Sequence, residues 1–315
     1  MPEVRDHFDE IDVPQVAYGP QPVFWRSAPA PEGAAGDAVP LYLHGVPDSC
    51  DEWIAPRAQR MRRPWHRRWW RRKRADDEWV QPPAYETGFL ERSGGLAVDL
   101  PGFGRTGKPA SLRYTIDEYG GWIERFLDHV EVERVQLVVH DWGAVGLAFA
   151  QRLPERVERL VIINAVPLLA GYRWHRTARI WRTPGLGELA MGTTSYATLR
   201  LVSREANATP GPLPEAWLRS VLAHFDQGTQ RAILRLYRSS PPEALAAAGA
   251  RLGALAMPAL VLWGARDPYI PVRFAREYAR ALPSAELVEV PDAGHWPWLD
   301  RPELIERVAD FLAGE

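Results

Sequence analysis

Cysteine is all but missing. Cys50 is the single one in 315 residues, so the chain cannot build an internal disulfide framework, and a reducing compartment is its natural setting. Long apolar runs are missing too. None approaches the roughly 18–20 residues that cross a bilayer, so no membrane partner is expected. The first ten residues, "MPEVRDHFDE", lack the apolar core of a secretory signal, and the expectation is a soluble cytoplasmic protein. Net charge is nearly absent: the formal value is −2, which gives no overall field for a nucleic-acid partner. No self-similar period points to a solenoid.

Other features are plentiful. Tryptophan reaches 14 and proline 29. Some of the tryptophan sits in residues 57–74, "RAQRMRRPWHRRWWRRKR", which concentrates positive charge and leaves the rest of the chain acidic. Elsewhere, short β-branched and leucine-rich runs recur between turn signals: "VPLYLHG" (39–45), "GLAVDLPG" (95–102), "VQLVVHDWG" (135–143), "RLVIINAVP" (159–167), "PALVLWGARD" (258–267) and "AELVEVPDAGH" (285–295). Several are apolar at successive positions, as in strands covered on both faces. Helical spacing fills the gaps at 115–130, 144–157, 272–282 and 301–313, and Thr115 with Glu118 forms a capping box before the first of these. Strands alternating with helices predict a parallel, doubly wound α/β sheet. An N-terminal hairpin over about 14–27 is expected to add antiparallel edge strands. From 168 to 252 the alternation stops, and "EAWLRSVLAHF" and "GTQRAILRLYRSS" carry apolar residues at helical spacing, which predicts an inserted helical cap.

Open α/β sheets gather their reacting groups beyond the carboxyl ends of the strands. Here those ends carry His44-Gly45-Val46-Pro47, then Asp141, Asp267 and His295. A charge at the tip of a buried strand is costly unless paired or used. Any one of these groups alone reads as a helix cap or a turn residue. Together, in the order acid, acid, histidine, they read as a triad on a nucleophile elbow with aspartate where serine usually stands. A carboxylate suits displacement at a saturated, electrophilic carbon and leaves an alkyl-enzyme ester. Water activated by His295 would then release the product, with Asp267 orienting the imidazole and the backbone N–H groups of Trp142 and Val46 forming the oxyanion hole.

These motifs resemble the aspartate-nucleophile branch of the α/β-hydrolase superfamily, the epoxide hydrolases and haloalkane dehalogenases. The matching pieces are "HGVP" (44–47), "DLPGFGRTGKP" (99–109), "HDWG" (140–143), "WGARDPYIP" (263–271) and "AGHWPWLDRPELI" (293–305), within a likeness running from about 20 to 315. The resemblance implies an α/β-hydrolase fold, a doubly wound, mostly parallel sheet with an inserted helical cap. The division expected is a core of 1–167 and 253–315 and a cap of 168–252. Val139 departs from the pattern, because a small residue usually stands there.

Leaving groups separate the two chemistries. An opening epoxide needs an acid, which cap tyrosines supply in the family; Tyr237 in "LRLYRSSPP" and Tyr196 in "GTTSYATL" match that role, and Tyr172 fits less well by spacing. A departing halide needs N–H donors, which Trp142 and either Trp174 or Trp181 would provide. Val46 has no side-chain donor where dehalogenases carry a polar residue, so epoxide opening is the first reading and dehalogenation the alternative. His44, Pro47, Trp174, Trp181 and Trp296 are expected to contact the substrate. The eight histidines show no metal-ligand spacing, and no cofactor is implied.

The arginine-rich stretch belongs to an insertion over about 55–88 that the family pattern lacks. Basic and aromatic residues interleaved can bind nucleic acid or an anionic surface. That leaves a reading from another class open, a non-catalytic small-molecule or nucleic-acid binder. The expected partner is nevertheless a small epoxide or haloalkane, without nucleic acid, and a homodimer is allowed for.

Overall fold

The computed structural model describes residues 3–12, 19–31, 36–55, 85–209 and 211–315. The arginine-rich stretch lies outside the described residues. Eight strands form one sheet: β1 (Arg5–Ile11), β2 (Gln21–Ala28), β3 (Val39–Leu43), β4 (Gly95–Val98), β5 (Val135–His140), β6 (Val157–Ile163), β7 (Ala259–Gly264) and β8 (Ala285–Val290), in the order β1-β2-β4-β3-β5-β6-β7-β8. All neighbours from β4 to β8 pair in parallel, while β2 runs antiparallel to both β1 and β4. The expected mostly parallel, doubly wound sheet is therefore what forms. The chain order reverses between β3 and β5, which places the crevice above their carboxyl ends.

The helices are α1 (Phe89–Ser93), α2 (Ile116–His129), α3 (Gly146–Arg152), α4 (Arg176–Arg182), α5 (Leu186–Gly192), α6 (Tyr196–Val202), α7 (Glu215–Ala223), α8 (Gln227–Ser239), α9 (Pro242–Ala248), α10 (Arg273–Ala281), α11 (Pro297–Asp300) and α12 (Leu304–Ala313). Successive side chains of a strand point to opposite faces, and the core divides accordingly. Leu41, Leu43, Leu137, Val139, Ile162 and Val261 pack with α2, α3 and α10. Tyr42, Val138, Val161, Ile163, Leu260 and Leu262 pack with α1 and α12 on the other side. Continuous apolar runs in β5 and β7 follow from this double cover, since every residue of both strands is buried. The Thr115–Glu118 capping box is formed at the start of α2.

The hairpin differs from its predicted limits. Its first strand is Arg5–Ile11, paired from Arg5↔Ser27 to Ile11↔Gln21, and residues 13–18 lie outside the described residues. β1 is an edge strand with mostly exposed positions, so its sequence, "RDHFDEI", has no buried face to produce an alternating signal. Val139 is accommodated by Gly146, where an added Cβ would lie 2.5 Å from Leu43 Cδ1 and 3.3 Å from Val139 Cγ1.

Between β6 and β7 the described residues form α4 to α9 and no strand. Polar contacts fasten α8 to the loop after β4. Lys108 Nζ donates to Asp226 Oδ2 (2.7 Å), Arg231 donates to the Lys108 carbonyl (2.7 Å), and Arg235 donates to the carbonyls of Ala110 and Leu112.

Candidate active site

β5 ends because Asp141 takes φ 45°, in the left-handed region that few L residues adopt, and the turn Asp141–Val145 leads straight into α3. The carboxylate therefore stands at the strand tip. Val166 N–H donates to the Asp141 carbonyl (2.9 Å) and holds the bend from β6. The loop after β3 passes close by: a Cβ on Gly45 would lie 2.7 Å from Asp141 Cβ, so only glycine permits the approach. This brings Val46 N–H onto Asp141 Oδ1 at 2.9 Å. Trp142 N–H lies in the first turn after the elbow, where backbone donors lack an acceptor within the turn.

His295 approaches from the loop after β8. Its Nε2 is 3.6 Å from Asp141 Oδ2 and its Nδ1 is 2.7 Å from Asp267 Oδ2. Asp267 is also held by Asn164 Nδ2 (2.7 Å) and by the N–H groups of Tyr269 (2.7 Å) and Ile270 (3.0 Å). Burial alone would raise the Asp267 pKa. The charge of His295 and the hydrogen bonds from His295, Asn164 and Ile270 outweigh it and hold the carboxyl below its ordinary range. With Asp267 on Nδ1, the imidazole donates there and turns its Nε2 towards Asp141.

Above these groups is a cavity of about 340 Å³ between the sheet and the helices α4 to α7. Val46, Pro47, Asp141 and His295 line it at the sheet, and Trp181, Trp217 and Trp296 contribute aromatic surface. His175 also lines it; burial lowers its pKa to about 4, against the opposing pull of Asp141, so the ring is neutral at pH 7. Trp142, the residue after Asp141, is stacked on Trp174 with ring centroids 5.5 Å apart and edge-on to Tyr237 at 5.1 Å.

Residues 41–308 match the alpha/beta hydrolase family. The chain belongs to that family. A haloalkane dehalogenase of Mycolicibacterium paratuberculosis is 31% identical over 236 residues, covering 69% of this chain and 73% of the relative. Epoxide hydrolase 1 of Caenorhabditis elegans is 24% identical over 246 residues, covering 71% and 59%. Among solved structures, the haloalkane dehalogenase DbeA from Bradyrhizobium elkani USDA94 superposes with a TM-score of 0.73 at 24% identity, over 99% of this chain and 98% of that one, which is a likeness of fold. Within the family, the likeness therefore runs to the haloalkane dehalogenase and epoxide hydrolase branch.

This α/β hydrolase brings Asp141, Asp267 and His295 together with Val46 and Trp142, and places Pro47, Trp181 and Trp296 on the cavity wall. Four other expected residues, Tyr196, His44, Trp174 and Tyr237, are not among those lining this cavity. Tyr196 opens α6 and lies half-buried under the Arg219 guanidinium (5.1 Å), while Thr198, Leu199 and Val202 of the same helix line the cavity in its place. His44 is fully buried behind the loop; its Nε2 accepts Leu100 N–H (2.9 Å) and its Nδ1 donates to the Gly45 carbonyl (2.7 Å), so it is not among the cavity-lining residues. Trp174 spends its indole N–H on the Ser240 carbonyl (3.0 Å), and its ring packs on Trp142 away from the lining. Tyr237 is buried behind the cavity wall among Trp142, Trp174 and Trp181, with a side-chain hydrogen bond to Trp142, and burial first, then the charge of Asp141, pushes its hydroxyl well above the ordinary pKa. Sequence reasoning passed over Asn164. It stands at the end of β6 with φ 38°, and its place at a further strand end was the available signal. Glu52 and His140 were passed over as well, although His140 directly precedes the elbow.

Proposed function

We propose that this hydrolase opens an epoxide to a diol through an ester on Asp141. The carrying observation is a carboxylate at the elbow with Val46 N–H on one oxygen and the His295 base facing the other. Asp141 attacks a ring carbon, the C–O bond of the oxirane breaks, and the departing oxygen takes a proton from the Tyr237 hydroxyl. His295 Nε2 then removes a proton from water, whose oxygen adds to the ester carbonyl. The oxyanion forms against the N–H groups of Val46 and Trp142 and collapses to diol and free carboxylate. Helices α4 to α9 act as a cap over residues 168–252 that keeps bulk water from the cavity.

Dehalogenation is the second reading. It is favoured by the buried Trp142 indole N–H, whose one side-chain neighbour for hydrogen bonding among the described residues is Tyr237, and by the mycobacterial relative. A halide leaves as an anion and needs such donors, not an acid.

The test is a mixed panel of epoxides and haloalkanes scored for diol and halide release, with His295→Gln run beside the wild type. The reading expects diol release and a mass adduct on Asp141 in the variant. Turnover without any adduct in the variant refutes the ester.

A further inference from the structure

Below Asp141 lies a buried cluster that the proposed chemistry leaves unused: Asp48, Glu52 and His140. Glu52 sits in the turn Cys50–Trp53 and reaches in three directions. Its two oxygens accept Gly45 N–H at 3.3 and 3.4 Å, Oε1 faces His140 Nδ1 at 3.1 Å, and its carboxyl hydrogen-bonds with that of Asp48. On its far side, His140 Nε2 is 2.9 Å from the carbonyl oxygen of His295.

The protons can be placed from these partners. A carbonyl oxygen only accepts, so His140 Nε2 carries hydrogen. In a neutral ring Nδ1 is then bare, and the Glu52 carboxyl donates to it. Two facing carboxyls need a proton between them, which Asp48 supplies to Glu52. Burial acts in the same sense on all three, raising both carboxyls and lowering His140, which favours their uncharged forms.

The link therefore runs from Gly45, whose neighbour Val46 supplies the oxyanion donor, through Glu52 and His140 to the backbone of His295, the base. We propose that Glu52 and His140 are positioning residues that hold the oxyanion donor and the base in register for ester hydrolysis. The inference rests on the ester reading above. Alkylation of Asp141 needs neither the activated water nor the oxyanion, so the two half-reactions should respond differently. In a two-step scheme kcat and KM both scale with the share of hydrolysis in the total, whereas kcat/KM depends on binding and alkylation alone.

The probe is whichever of styrene oxide, epichlorohydrin or 1,2-dibromoethane the wild type turns over fastest. In Glu52→Ala, kcat and KM should fall by one common factor, up to about 10²-fold, because a misplaced base costs that much. In this variant kcat/KM should stay at the wild-type value, and intact-protein mass should show adduct accumulating on Asp141. Glu52→Gln should restore kcat, since its carbonyl oxygen can accept Gly45 N–H and its amide can donate to His140 Nδ1. His140→Gln cuts the base half of the link alone and should show the same split, which keeps the test intact if Glu52→Ala does not fold. A merely structural role would lower kcat and kcat/KM together at constant KM, without adduct, and that pattern overturns the proposal. So does a Gln variant as impaired as the Ala variant. A wild type inert to all three probes, with no adduct in His295→Gln, sinks the ester reading itself.

Discussion

Replacing Asp267 with Asn changes one atom and should stop the enzyme half-way. In the wild type Asp267 Oδ1 accepts Tyr269 N–H (2.7 Å) and Ile270 N–H (3.0 Å), while Oδ2 faces His295 Nδ1 and Asn164 Nδ2, each at 2.7 Å. The two backbone donors fix which way an amide must sit: the Asn oxygen stays with them, and the NH₂ takes the place of Oδ2. It then donates to His295 Nδ1 and moves the ring proton to Nε2, the atom that faces Asp141 at 3.6 Å. The base is thereby blocked. A wrong tautomer of this kind costs roughly 10⁴-fold in other triads, about 5 kcal/mol of barrier. The Asn164 amide also loses the closer of its two acceptors and keeps the Gly264 carbonyl at 3.3 Å, and a buried N–H left unpaired costs about 1–3 kcal/mol of stability.

The loss should fall on ester hydrolysis, because attack by Asp141 does not use the base. In rapid mixing with a turned-over substrate, the variant should show one full equivalent of alkylation at the wild-type rate. The adduct on Asp141 should then persist, and chemical denaturation should report the stability loss. If the adduct decays at the wild-type rate, the assigned tautomer is wrong. If alkylation is lost in parallel with hydrolysis, the triad does not divide its labour as argued.

Three further outcomes are expected. Tyr237→Phe should slow alkylation roughly 10²–10⁴-fold on an epoxide and leave substrate binding alone, while Tyr196→Phe should be silent; if dehalogenation is the reaction, Trp142→Phe is the damaging change, and diol against halide assays decide. His175, with a pKa lowered to about 4, stays neutral in the fold while the unfolded chain takes a proton below about pH 6.5. Its contribution is therefore complete above pH 6.5 and lost as pH falls towards 4, so His175→Asn, which keeps a helix-capping acceptor, should gain on the wild type over that range by up to about 1.4 kcal/mol per pH unit in urea titrations. Deleting 57–84 behind a short linker should preserve hydrolysis, because the Glu91 carboxylate accepts N–H groups from both Ala55 and Gly88 at 3.1 Å and so holds the two ends side by side; loss of hydrolysis in a folded deletion variant refutes this.

What could be read in advance follows from what each segment must bury. β3 to β8 and α2, α3, α10 and α12 lie in two apolar layers, and burial on both faces wrote a dense signal into their residues. β1 buries almost nothing, so its position was misjudged by several residues. The meeting of Asp141, Asp267 and His295 was legible because strand ends deliver them in chain order. The role expected of Tyr196 was not, since spacing along the helices between β6 and β7 does not reveal which side of a short helix meets the cavity. The roles of Glu52 and His140 are set by contacts across 88 residues of chain, which no local pattern carries.

A charge at the tip of a buried strand is costly, and the carboxyls around it differ in how they are partnered. Asp267 is saturated by four donors from His295, Asn164, Tyr269 and Ile270. Asp51 is bound by Arg26 and Arg105, whose charges overcome its burial and lower its pKa to about 2, so its charge is spent there. Asp48 and Glu52 hydrogen-bond with each other, and burial raises both, which favours their protonated forms. Asp141 differs from all of these: one N–H, that of Val46, lies within hydrogen-bonding distance, and His295 stands off at 3.6 Å. A carboxylate with one donor keeps lone pairs available. Among the described residues the fold thus satisfies the carboxyls nearby and leaves Asp141 with fewer partners, which is the condition that the proposed attack by Asp141 needs.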